Sequence, residues 1–74
     1  MKEILYYEDE IIVWKDIAEE CFRGIVAGRH FKCLPAEEEL LQKLLRYLED
    51  ELDAYDTVRY HIIGNGELLL ELVD

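Results

Sequence analysis

Cys21, His30, Cys33 and His61 are the side chains in this chain best suited to hold a metal or to supply a nucleophile and its base. Thiolate and imidazole are zinc ligands, but structural zinc sites are built from close knuckles of the C-x₂₋₄-C and H-x₃₋₅-H kind. Here a single H-x₂-C runs from His30 to Cys33, and the other two candidates fall on separate elements. A metal-binding protein is therefore only a third function class, and no metal ligand or cofactor is assigned. Buried cysteines also behave as small hydrophobes. A Cys21–Cys33 disulfide is the alternative for a protein from a very hot environment, and the sequence leaves that bridge open. Nucleophilic catalysis would further need an orienting group and a cleft, and neither can be read.

Carboxylates are far more numerous, 18 Asp and Glu against 8 Lys and Arg. General acid–base work needs one carboxyl in an apolar pocket that raises its pKa. Glu51 comes nearest, because a helical wheel sets it close to Leu44, Tyr47 and Tyr55; its plainer role is to reach solvent or pair with Arg59. Gly64-Asn65-Gly66 is turn chemistry without the helix start of a phosphate loop. The expectation is a protein that is not an enzyme and has no catalytic residues.

The net charge of −10 disfavours direct binding to nucleic acid or an anionic membrane, since such binding rests on releasing counterions from phosphates. A basic protein partner is the natural complement. Glu38, Glu49, Asp53 and Asp56, with Asp50 beside them, share one sector of the helix predicted over residues 36–55. A rise of 1.5 Å per residue spreads Glu49 to Asp56 over roughly 10 Å, and phosphates on one DNA strand lie about 3.4 Å apart along the axis. That charge density permits a nucleic-acid mimic, an inhibitor whose acidic face enters the basic cleft of a nucleic-acid-binding protein, as small viral inhibitors of host defence do. The resemblance is one of charge and size alone, and Arg46 interrupts the stripe. A plain solvated face is the competing account.

These side chains must be positioned by elements whose periods can be followed. Leu41, Leu45, Leu48, Leu52 and Tyr55 recur at steps of four and three, one stripe of an α-helix. Pro35 suits its first turn, and Glu37, Glu38 and Glu39 lie where the dipole favours anions. Leu40, Leu44, Tyr47 and Ala54 widen the apolar arc to roughly 160° at ~100° per residue. Asp16 with Glu19 reads as a capping box. The pairs Ile17-Ala18, Cys21-Phe22 and Ile25-Val26 then predict a second helix over 16–27, stopped at Gly28. Gly24 inside it costs ~1 kcal/mol relative to Ala, which keeps open a β-hairpin turning at Ala27-Gly28.

Lys2 to Tyr7 and Ile11 to Trp14 have strand character, although a helix starting near Asp9 competes for the second. Arg29 to Leu34 alternates, with Phe31 and Cys33 on one side. Residues 58–63 and 67–73 form a β-hairpin. A three-residue loop, Gly64 to Gly66, pairs Val58 with Leu72, Tyr60 with Leu70 and Ile62 with Leu68, which makes one wholly apolar face. That face is expected under the long helix.

The expected fold is α+β: residues 1–74 as one small two-layer domain, with a mixed sheet of about four to five short strands covered by two helices, 16–27 and 36–55. So small a core invites self-association, a homodimer through Leu40, Leu44, Tyr47 and Glu51. There is no serine, and Thr57, Asn65 and Gln42 stand alone of their types, a depletion reported for thermophilic proteins. No apolar run is long enough to span a membrane and no secretory leader is evident, so the expected location is the cytoplasm of a cell or of a viral host.

Overall fold

The computed structural model describes residues 2–50, 58–64 and 66–73. Among these residues six strands make one mixed sheet: β1 (Lys2–Glu8), β2 (Ile11–Asp16), β3 (Cys21–Val26), β4 (Arg29–Leu34), β5 (Val58–Ile62) and β6 (Leu68–Leu72), in the order β1-β2-β3-β4-β6-β5. The first four form an antiparallel meander. β6 then joins β4 in parallel, and β5 closes the far edge antiparallel to β6. Between β4 and β5 a short 3₁₀ turn, Glu38–Leu40, leads into α1 (Leu41–Glu49).

This corrects the expected architecture of two helices over four to five strands. Residues 16–27 are not a helix but the end of β2, a turn, and β3. Asp16 does accept the Glu19 N–H (3.1 Å), the bond that a capping box predicts, but here it closes the turn. Local side-chain-to-backbone bonds of this kind serve turns as readily as helix starts. β3 is an interior strand, so Cys21 and Phe22 are both fully buried, one on each face. Two-sided burial abolishes the alternation that marks a half-buried strand.

Gly24 has its own role in β3. It stands opposite Phe31, and a Cβ at this position would lie 2.7 Å from the Phe31 ring and 2.0 Å from the Ile12 carbonyl oxygen. Ala27 (φ 48°) and Gly28 (φ 80°) form the two-residue β3–β4 turn, the left-handed pair that a type I′ hairpin requires.

The inner face of the sheet carries Val13, Phe22, Phe31, Cys33, Leu68, Leu70, Leu72 and Val58. Over it lie Leu40, Leu44, Leu45, Tyr47 and Leu48 in one apolar core. The C-terminal hairpin has the register that face consistency predicts. Gly66, at φ 83°, donates to the Ile63 carbonyl (2.8 Å). Its apolar face is only half covered: β6 lies in the core, whereas Tyr60 and Ile62 on edge strand β5 stay exposed. The continuation of the expected helix, residues 51–57, lies outside the described residues.

Candidate functional site

Two groups of charged side chains are assembled by this fold. The first sits on the outer face of β2, β3 and β4, where Asp16, Arg23 and Lys32 share one side of neighbouring strands. Arg23 reaches Asp16 (3.1 Å), Glu19 (2.6 Å) and Glu67 (3.5 Å), and Lys32 reaches Glu19 (2.9 Å). The Glu19 N–H and the Arg23 guanidinium hold Asp16 below the usual carboxylate range. Glu19 is lowered by Lys32 first and Arg23 second.

Asp16, Glu19 and Cys21 could jointly offer ligand atoms to a cation, all within 4.8 Å of one another. Both carboxylates are already matched by Arg23 and Lys32, so the cluster is an ion-pair network. A hollow of about 620 Å³ beside it is lined by Trp14, Arg23, Arg29, His30 and Glu67. Arg23, its most enclosed cation, is engaged by three carboxylates.

The second group gathers at one end of the molecule. α1 ends at Glu49 with Asp50 as its C-cap, and the end of β1 and the β1–β2 turn supply Glu8, Asp9 and Glu10, all five exposed. Tyr6 joins the two stretches, its hydroxyl lying 3.3 Å from a Glu8 oxygen and 3.2 Å from a Glu49 oxygen. Partial desolvation and then the charge of Glu8 push the Tyr6 phenol above its ordinary pKa, so it remains a donor. Asp9 and Glu10 also share a surface hollow with Leu48 and Glu49. Among the described residues none of the five carboxylates is in an ion pair. They crowd the C-terminal end of a helix, where the macrodipole is itself negative.

Of the predicted partner-binding residues, Glu49 and Asp50 belong to this pole and Glu38 is exposed in the 3₁₀ turn at the other end of the helical segment. Asp53 and Asp56 lie outside the described residues, as does Glu51 of the self-association set. The rest of that set is inside the chain's own core: Leu44 and Tyr47 are fully buried and Leu40 nearly so. The sheet covers the inner arc, so these three side chains offer no surface to a twofold mate.

Sequence reasoning missed Tyr6, Glu8, Asp9 and Glu10 as companions of the helix acids. The run Glu8-Asp9-Glu10 was the available signal, but it reads simply as a break between strands. Cys21, His30, Cys33 and His61 are not brought together. Cys33 faces the core and Cys21 the outer side, both as free thiols. His30 and His61 are exposed on β4 and β5. Burial pushes the Cys33 thiol up to about 12.

Comparison with known protein families, with curated proteins and with solved structures finds no match. Among the described residues no helix is long and apolar enough to cross a membrane.

Proposed function

We propose that this protein is a small acidic protein-binding module that presents carboxylates to a basic partner, in the manner of an inhibitor filling the cationic cleft of a nucleic-acid-binding protein. The observation that carries the reading is the convergence of Glu8, Asp9 and Glu10 with Glu49 and Asp50, two acidic stretches far apart in sequence. Anions at a helix C-terminus each cost about 0.3–1 kcal/mol at an exposed site. Charge placed where it weakens the fold, with no cation paired to it among the described residues, is a feature that stability alone does not account for.

Binding of this kind is steered by long-range attraction and weakens with ionic strength. The test is a titration of the protein with a cationic nucleic-acid-binding domain at several salt concentrations, repeated with Glu8→Gln, Glu49→Gln and Asp50→Asn combined. A steep fall of affinity with salt and at least about a tenfold loss in the combined variant, some 1.4 kcal/mol, are expected. Equal affinity of the variant and the parent would remove the reading.

A further inference from the structure

Among the described strands β1 is an edge of the sheet, paired to β2 alone. A register shift between Ile4 and Tyr6 brings Ile4 and Tyr7 to the same outer face, opposite Trp14 and Ile12. They are 57% and 76% exposed and take no part in the core. The other face of the same strand carries Glu3, Tyr6 and Glu8, opposite Lys15, Val13 and Ile11; Tyr6 packs against the core, while Glu3 and Glu8 are exposed. The outer side of this edge is therefore apolar, and the exposed side chains of its inner side, Glu3 and Glu8, are acidic.

An edge strand presents unpaired N–H and C=O groups that an extended segment can continue. Cross-strand neighbours then decide which segment is accepted, since opposite charges and apolar pairs stabilise the pairing and like charges oppose it. We propose that β1 is a docking edge for a short extended segment of a partner protein in which apolar and basic residues alternate. Its apolar side chains lie on Ile4 and Tyr7, and its lysines or arginines face Glu3 and Glu8. The irregularity at Leu5 twists the edge and confines the pairing to a short run.

Charge complementarity selects this occupant. The chain carries −10 overall, and the exposed Asp9 and Glu10 continue the acidic side past the end of β1. Antiparallel pairing with a second copy, in the register that matches Ile4 of one copy with Tyr7 of the other, sets Glu3 against Glu8, a like-charge pair that a basic segment replaces with an attractive one. The inference rests on the basic-partner reading and specifies the form of that partner.

The probe is a short capped peptide of alternating lysine and valine. Its isomer, with all the lysines in one block followed by the valines, is the control. Each is titrated into the full chain while the backbone amide resonances are followed. The alternating peptide is expected to shift the β1 amides saturably and to bind about tenfold more tightly than the block isomer. Ile4→Lys with Tyr7→Lys removes that advantage. Glu3→Lys with Glu8→Lys transfers the preference to an alternating glutamate–valine peptide. Both pairs of side chains are exposed, and circular dichroism verifies that each variant is folded.

Equal binding of the two isomers overturns the docking edge while leaving a carboxylate-directed module standing. Failure of any cationic peptide to bind at low salt overturns both. A dimer in sedimentation that Ile4→Lys with Tyr7→Lys dissociates overturns the proposal in favour of a second copy.

Discussion

The hydroxyl of Tyr6 lies 3.2 Å from a carboxylate oxygen of Glu49, 43 positions further along the chain, and this contact ties the first strand to the end of the helix. The same hydroxyl lies 3.3 Å from Glu8, so one phenol stands between two anions. Neutralising the helix acids should therefore separate stability from binding. Glu49→Gln with Asp50→Asn is expected to stabilise the fold by about 0.5–1.5 kcal/mol, by relieving the helix C-terminus, while weakening attraction to a cationic partner. Urea midpoints at constant slope, set beside the salt titration, check the two halves of the statement. A lower midpoint contradicts it.

Gly24→Ala tests the contact between β3 and its neighbours. The added Cβ meets the Ile12 carbonyl oxygen at 2.0 Å and the Phe31 ring at 2.7 Å, and the former is backbone that no rotamer change can clear. A loss of about 3 kcal/mol is expected, at the upper end for overpacking, and for a domain this small that approaches complete unfolding. If residues 16–27 were helical, the same change would add about 1 kcal/mol of stability instead. Chemical denaturation followed by circular dichroism distinguishes the two signs.

At the β3–β4 turn Ala27 holds φ 48°, a left-handed conformation in which Cβ is crowded by the following carbonyl. Asparagine tolerates that region and precedes Gly28 as in the most favoured type I′ turn. Ala27→Asn should raise stability by about 0.5–1 kcal/mol, measurable as a shift in thermal midpoint.

Asp16 and Glu19 titrate below their ordinary values because Lys32, Arg23 and the Glu19 N–H favour their charged forms. For a carboxylate with a depressed folded pKa, the unfolded chain binds more protons. The stabilisation is then present above the ordinary pKa of about 4 and is lost as pH falls below it. Arg23→Gln should consequently destabilise the protein at neutral pH, and the gap between variant and parent should narrow as pH drops through that window. Denaturation midpoints at a series of pH values provide the comparison, and a gap unchanged down to the lowest pH at which both fold contradicts the assignment.

The C-terminal hairpin was legible because two independent constraints agree on it. Gly66 supplies the left-handed position that its loop requires, and the pairs Val58–Leu72, Tyr60–Leu70 and Ile62–Leu68 keep one apolar side. The stripe Leu41, Leu45 and Leu48 likewise marks the helix. Residues 16–27 misled for a physical reason: a turn closed by Asp16, followed by a strand buried on both faces, places apolar residues in pairs four apart, as a helix does. What decides between them is the fit of Gly24 beneath Phe31, a relation between strands invisible along one of them. Of the acidic pole, Glu49 and Asp50 could be read from the helix wheel. The rest needed the fold, since only the packing of α1 against the inner face carries Glu49 to Tyr6.

The parallel pairing of β4 with β6 sets a timetable for synthesis. As the chain leaves the ribosome, β1 to β4 can zip up neighbour by neighbour, but the inner flank of β4, with Phe31 and Cys33, must wait for Leu68 and Leu70, its partners in the finished sheet. Until those leucines emerge the nascent meander displays an oily flank, and it is at this stage that a chaperone has something to grip.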